Sequence, residues 1–196
     1  YGVARDLYAW LIQNGRQAEL KRPSVDAFRV DNHDMDIAVE VENTEACPRY
    51  AGVTIKNVTV KESPEWLQNK LRLIGVRPIN NIVDISNIVM LETGQPMHFY
   101  DAKSLPSQSI VVADGFDEEY TALDGVTYKL QPEDIVITNQ GKPIGIAGVM
   151  GGDDSKILDT TDSIIIECAI FDHVAIRNTA CLLYTSDAAD DRISVD

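Results

Sequence analysis

The sequence predicts an α+β fold in which mixed and antiparallel β-sheets pack against helices. Two observations carry this prediction: segments with helical spacing lie mostly before Gly94, and short strand-like apolar segments dominate after it. With 44% hydrophobic and 24% charged residues among 196, the composition is that of a globular protein. No run approaches the ~18 consecutive apolar residues of a membrane helix, so no membrane partner is expected.

The candidate helices are residues 3–11, residues 63–75 and the second half of residues 82–91. Ser63 and Pro64 are typical of a helix N-terminus, Ser63 as the cap and Pro64 in the first turn. Gly75 and Gly94 are typical of the position where a helix stops. The apolar run at 82–91 predicts a short strand that leads into the last of these helices.

The strand predictions rest on period-two alternation and on short apolar runs. They cover residues 37–42, 50–60, 109–113, 120–123, 126–130, 134–138 and 164–170. Asp124-Gly125 lies between two of them and predicts a two-residue hairpin turn.

Changes of pattern along the chain predict its organisation. Residues 1–22 are expected to be the end of a preceding domain, residues 23–45 a linker and entry strand, and residues 46–180 the main domain. The chain begins at Tyr1 without a Met, which indicates a piece of a longer protein. From Cys181 the apolar period is lost, and residues 181–196 look like a translated sequencing adapter that is expected to be disordered.

The charge is unevenly distributed. The 17 basic and 31 acidic residues give 17 − 31 = −14, with 11 of each sign in residues 1–80 and 6 basic against 20 acidic in residues 81–196. An acidic surface repels phosphate, so non-specific binding of nucleic acid is not expected. Three widely spaced cysteines and three scattered histidines predict free thiols, a cytoplasmic location and no metal site.

Two side chains are the main candidates for chemistry. His98 follows Gly94 on a predicted loop beside aromatic residues, where it either holds a water or substrate carbonyl while titrating near neutrality, or satisfies loop backbone groups. Glu167 interrupts an apolar strand, where it is either paired, protonated or in a polar cavity, or lies on the open face of an edge strand.

Other polar and glycine-rich positions carry weaker signals. The glycine-rich run at 145–152 lacks a phosphate-loop ending and favours a tight bend whose bare backbone can line a pocket. Helix capping accounts for Asp84 or Ser86, next to Asn87. Arg77 can meet either a phosphate or an acidic neighbour.

Six stretches in this order resemble the β subunit of bacterial phenylalanyl-tRNA synthetase, specifically its editing module. They are Cys47-Pro-Arg-Tyr-Ala-Gly52, Gly75-Val-Arg-Pro-Ile-Asn-Asn-Ile-Val-Asp-Ile-Ser-Asn87, Leu91-Glu-Thr-Gly-Gln-Pro-Met-His98, Leu123-Asp-Gly125, Gly148-Val-Met-Gly-Gly152 and Ile166-Glu-Cys-Ala169. The resemblance covers about residues 46–180.

The resemblance implies hydrolytic editing of mischarged Tyr-tRNA(Phe) within a phenylalanine–tRNA ligase. Glu167 matches the family residue that recognises the tyrosine hydroxyl, and His98 matches the catalytic histidine near the scissile ester. The further substrate-binding residues that it implies are Ser86, Asn87, Gly148 and Arg77.

The resemblance also implies cofactors and partners. Editing needs no cofactor or metal, whereas ATP and Mg²⁺ serve the whole synthetase and are not bound by this segment. The implied partners are the 3′ end of tRNA(Phe) and the α subunit, in a heterotetramer of two α and two β subunits.

One departure from the family concerns the pocket. After Ala180 the family continues with a basic helix and a Thr-x-Ala segment, which the adapter-like tail replaces here, so this chain is expected to have a truncated site. Two alternatives therefore stay open: a non-catalytic scaffold and a free-standing tRNA deacylase.

Overall fold

The structure is a computed structural model that describes residues 1–190. Its helices are α1 (Gly2–Gln13), α2 (Glu65–Leu73), α3 (Asn81–Thr93) and α4 (His173–Asp190). Its strands are β1 (Ala38–Val41), β2 (Arg49–Lys56), β3 (His98–Asp101), β4 (Ser109–Ala113), β5 (Glu119–Thr121), β6 (Thr127–Lys129), β7 (Val136–Asn139), β8 (Lys142–Ile146), β9 (Met150–Gly151) and β10 (Ser163–Ile170).

The strands form three sheets. A five-stranded sheet has the order β1-β4-β7-β8-β9, in which β1 pairs with β4 in parallel and the other pairs are antiparallel. An antiparallel three-stranded sheet has the order β2-β10-β3, and β5 pairs with β6 as a hairpin. The predicted α+β class with mixed and antiparallel sheets is confirmed.

The main core lies between the two larger sheets. Tyr100 and Ile165 of the three-stranded sheet pack in one cluster with Ile110 and Ile137 of the five-stranded sheet. Because side chains alternate between the faces of a strand, the neighbouring residues of β3 and β10 point the other way. There Phe99 and Ile164 pack against α3, so α3 covers the outer face of the small sheet.

The two central helices differ from their predictions at their N-termini. No strand precedes α3, which is helical from Asn81, and the side chain of Asn80 caps it by accepting hydrogen bonds from the amides of Ile82 and Val83. Asp84 and Ser86 therefore do not cap α3. Ser63 does not cap α2 either, because its hydroxyl donates to Asp84 Oδ2 at 2.5 Å and ties the two helices together.

Further differences concern the second half of the chain. β3, β8 and β9 were not predicted, and the turn at Asp124-Gly125 is longer than two residues, closed by a backbone hydrogen bond from Ala122 to Val126. α4, which runs from His173 to Asp190, was not among the predicted helices. Residues 191–196, the end of the tail that was expected to be disordered, lie outside the described residues. The domain boundaries stay predictions.

Neither a membrane-spanning helix nor a metal-binding cluster is present in the part of the chain that the structure describes. None of the helices there is long and apolar enough to cross a membrane. The same residues contain no cluster of three or more His, Cys, Asp or Glu side chains that could hold a metal ion.

Candidate functional site

A cavity of about 720 Å³ opens between the two larger sheets. One wall is formed by β3 and β10, the opposite wall by β8 and β9, and the side by the start of α4. Most of its lining is apolar, including Met90, Ile146, Val149, Phe171 and Ile176. An apolar cavity with a few polar groups is the usual form of a small-molecule site.

Glu167 is the buried carboxylate of this cavity. It lies on β10, the central strand of the small sheet, opposite His98 on one side and Gly52 on the other, and its exposed fraction is 7%. Its Oε2 accepts hydrogen bonds from the hydroxyls of Tyr50 at 2.8 Å and Tyr100 at 2.5 Å. The structure therefore excludes the edge-strand alternative and supports a paired carboxyl group in a cavity.

The positions of the two phenols next to Glu167 follow from the alternation of side chains between the two faces of a strand. Tyr50 lies two residues before Gly52, the partner of Glu167 on β2, and Tyr100 lies two residues after His98, its partner on β3. Alternate residues of a strand share a face, and diagonal neighbours are within reach of long side chains. All three side chains thus converge from three strands onto one face.

Burial sets the electrostatics of the carboxyl group. Removal from water raises the pKa of Glu167, and the hydrogen bonds from Tyr100 and Tyr50 act in the opposite direction by stabilising the ionised form. Burial, together with the nearby Glu167 charge, raises the pKa of both tyrosines, so the phenols keep their protons and act as donors.

His98 lies beside Glu167 with an enclosed ring nitrogen. Its ring contacts that of Tyr100 edge to face at 4.5 Å between centroids, and its Nε2 has no hydrogen-bond partner among residues 1–181, whose side chains the structure describes. Burial lowers the pKa of His98 to about 4, so the expectation of titration near neutrality is wrong. The ring is a neutral imidazole at pH 7, and it begins strand β3 rather than standing on a loop.

Glycines form the opposite wall, as the glycine-rich run predicted. Gly148 has a φ of +66°, and a Cβ there would lie 3.2 Å from Ile176 of α4, so the absence of a side chain lets α4 approach. A Cβ at Gly151 would collide with Cε1 and Nε2 of His98. Bare backbone at Gly151 thus makes room for the imidazole.

The structure brings together His98, Glu167 and Gly148, but it does not place Ser86, Asn87 or Arg77 in the cavity lining. Ser86 lies on α3 and its hydroxyl donates to the Val83 carbonyl at 2.7 Å. α3 packs on the face of the small sheet opposite Glu167, and Arg77 is exposed in the connection from α2 to α3. The roles of these three residues stay predictions.

Sequence reasoning missed Tyr50 and Tyr100, and it did not indicate that Gly151 faces His98. A signal for Tyr100 was present, because a strand that begins at His98 points residues 98 and 100 to one face. The contact of Tyr50 with Glu167 and that of Gly151 with His98 join parts of the chain that are distant in sequence, which no local pattern indicates.

Comparison with known proteins assigns the fold to a family. Residues 46–194 match the B3/4 domain, and the chain belongs to that family. Its curated relatives are β subunits of phenylalanine–tRNA ligase: those of Bacteroides fragilis and Bacteroides thetaiotaomicron are each 56% identical, over 181 and 183 residues, and cover 92% of the chain. The resemblance found in the sequence is thereby confirmed.

More distant relatives extend the comparison. The β subunit of Carboxydothermus hydrogenoformans is 43% identical over 180 residues. A crystal structure of an N-terminal fragment of the phenylalanyl-tRNA synthetase β subunit from Pyrococcus horikoshii shares the fold, with a TM-score of 0.53 at 9% identity over 76% of this chain and 46% of that one. The chain spans about a fifth of the length of the curated bacterial relatives, 22% for the two Bacteroides proteins.

Proposed function

We propose that this chain is the hydrolytic editing module of a phenylalanine–tRNA ligase β subunit and acts on Tyr-tRNA(Phe). The observation that carries the proposal is a carboxyl group, Glu167, held by two phenols inside an apolar cavity next to a neutral imidazole. An aromatic amino-acid side chain matches the apolar lining. The names of the relatives support the assignment to an aminoacyl-tRNA ligase subunit.

The carboxyl group supplies the discrimination that the reaction needs. Tyrosine differs from phenylalanine by one hydroxyl, and an apolar pocket alone separates two such ligands poorly. A buried acceptor that loses its partner when the hydroxyl is missing separates them by orders of magnitude. Glu167 accepts a hydrogen bond from the hydroxyl of tyrosine and so selects the mischarged ester.

In the proposed hydrolysis, a water attacks the ester carbonyl carbon and the ribose oxygen leaves with a proton. Neutral His98 orients the water or the ester through a hydrogen bond, and a free hydroxyl of the terminal ribose assists. An ester is labile enough that orientation and a few hydrogen bonds provide the needed acceleration. Gly148 forms the cavity wall, and Ser86, Asn87 and Arg77 are proposed to contact the substrate outside the described cavity.

The proposal includes the setting of the whole enzyme. The 3′ end of tRNA(Phe) enters this module while other domains and the α subunit, in a cytoplasmic heterotetramer of two α and two β subunits, hold the tRNA body. ATP and Mg²⁺ serve aminoacylation elsewhere, and editing by this segment uses neither.

The test is hydrolysis of Tyr-tRNA(Phe) and Phe-tRNA(Phe) by the chain and by Glu167→Gln. We expect faster loss of tyrosine than of phenylalanine, and we expect Glu167→Gln to reduce this preference about a hundredfold. Glu118→Gln is the matched control, because Glu118 is exposed and is not part of the cavity lining. No acceleration over buffer would favour the non-catalytic scaffold, and an unchanged preference in Glu167→Gln would refute the role of the carboxyl group.

A further inference from the structure

Both phenols of the site bind the same oxygen of Glu167. The Tyr50 and Tyr100 hydroxyls donate to Oε2 at 2.8 Å and 2.5 Å, from strands on opposite sides of β10. Two donors on one oxygen fix the rotation of the carboxyl group about its last bond. Oε2 is thereby engaged in two hydrogen bonds.

The second oxygen has a different environment. Within residues 1–181, whose side chains the structure describes, no hydrogen bond to Oε1 is formed. The fully enclosed side-chain polar atoms without a partner in that part of the chain are His98 Nε2 and the Tyr120 hydroxyl oxygen, so Oε1 is not one of the enclosed atoms. Glu167 lines the cavity, so the unpaired oxygen is the one that is open to a ligand.

We propose that Tyr50 and Tyr100 are positioning residues that hold Oε2 and present Oε1 to the hydroxyl of the substrate. This inference rests on the proposed function and adds the residues that set its specificity. Charge-assisted hydrogen bonds from both phenols keep the carboxyl group in its acceptor form within an apolar surrounding. A free carboxyl group could rotate, or donate its own proton, and would then discriminate less.

Tyr50 and Tyr100 differ in how deeply their side chains are buried in the core. Tyr100 is 1% exposed and belongs to the main core, whereas Tyr50 is half-buried on strand β2 and packs at the edge of that core. Removal of the hydroxyl from Tyr50 therefore leaves the packing nearly unchanged. Tyr50→Phe is the primary variant, and Tyr100→Phe is the second.

The experiment measures binding of two nonhydrolysable ligands, the 3′-amide analogues of tyrosyl-adenosine and phenylalanyl-adenosine, by calorimetry on the full chain. In Tyr50→Phe we expect about a tenfold weaker affinity for the tyrosyl ligand and an unchanged affinity for the phenylalanyl ligand. A purely structural defect would weaken both. Infrared difference spectra provide a second readout, because the carboxyl band of Glu167, assigned by its loss in Glu167→Gln, should shift in Tyr50→Phe.

Tyr128→Phe is the matched control. Tyr128 also donates its hydroxyl to a carboxylate, Asp124 Oδ2 at 2.5 Å, but it lies on β6 outside the cavity. The Tyr128→Phe variant should have the same ligand selectivity and the same infrared band of Glu167 as the unmodified chain.

The remaining outcomes separate this inference from the proposed function. Selective binding of the tyrosyl ligand without hydrolysis of Tyr-tRNA(Phe) would refute the editing activity and leave the positioning role standing. Equal affinity of the unmodified chain for both ligands, or unchanged selectivity in both Tyr50→Phe and Tyr100→Phe, would overturn the positioning role.

Discussion

At the residue scale, burial acts on Glu167 and His98 in the same sense although it moves their pKa values in opposite directions. It raises the pKa of the carboxyl group and lowers that of the imidazole, so in both cases the uncharged form is favoured. Only Glu167 has donors that oppose this effect: the hydroxyls of Tyr50 and Tyr100 stabilise its ionised form. One site thus holds a stabilised acceptor beside an imidazole that stays neutral.

The lowered pKa of His98 predicts a pH-dependent stability. Its folded pKa of about 4 lies below the unfolded value of 6.5, so between these values the unfolded chain binds more protons. The stabilisation is complete above pH 6.5 and is lost as the pH falls toward 4. We expect His98→Gln to remove about 2 kcal/mol of the decrease in unfolding free energy between pH 7.5 and pH 5, measured by urea denaturation.

A control variant separates the effect of replacing the buried His98 from the effect of replacing an exposed histidine. The matched control is His33→Gln, because His33 is exposed and lies outside the cavity lining. Identical pH dependence of His98→Gln and the unmodified chain would contradict a neutral, buried imidazole.

The candidate site could be predicted from the residues alone most directly where one residue conflicts with its neighbours. Glu167 stands out because an ionisable side chain among isoleucines is costly to bury without a partner. Its partners gave no such signal, since Tyr50 and Tyr100 are 117 and 67 positions away and are ordinary strand residues on their own. Strand pairing, which no local pattern contains, brings them together.

At the element scale, the prediction for α3 shows how local signals compete. Ile82, Val83 and Ile85 are β-branched and favoured a strand, but the Asn80 cap and Gly94, which has a φ of +81°, define a helix between them. Burial of Ile82 against the small sheet adds a tertiary contribution that exceeds the weak propensity difference. The helix end was predicted because a left-handed glycine is a local property.

The docking of α4 depends on one buried hydrogen bond as well as on apolar contacts. Thr179 donates its hydroxyl to Asp134 Oδ1 at 2.6 Å, and both residues are buried. Thr179→Val keeps the shape and leaves that oxygen without this donor, so we expect a loss of about 1–3 kcal/mol in unfolding free energy. Urea denaturation measures the loss.

A surface threonine provides the comparison for α4. Thr121 is exposed on β5, and Thr121→Val should change the unfolding free energy by less than about 0.5 kcal/mol. A similar small change in Thr179→Val would show that apolar contacts such as Ile176 on Gly148 suffice to dock the helix.

At the scale of the whole molecule, the class of the fold was predictable but its topology was not. Strand alternation and glycine turns indicated an α+β protein, because those patterns follow from which face of an element is buried. The parallel pairing of β1 with β4 joins Ala38 to Ser109 across 109 − 38 = 71 positions. The placement of β10 between β2 and β3, which buries Glu167, is equally non-local.

The net charge of −14 makes a prediction for the whole molecule that is independent of the cavity. Basic proteins bind nucleic acid more weakly as salt rises, because counterions are released on binding. An acidic chain such as this one repels a phosphate backbone, and salt screens the repulsion beyond a Debye length of about 8–10 Å. Under the proposed function, we expect the KM for Tyr-tRNA(Phe) to stay constant or fall as salt rises from about 50 to 200 mM, because added salt weakens the repulsion. Tyrosyl-adenosine lacks the phosphate backbone, so its KM should not change over the same range. A KM for Tyr-tRNA(Phe) that rises steeply with salt would instead indicate a basic tRNA contact on this chain.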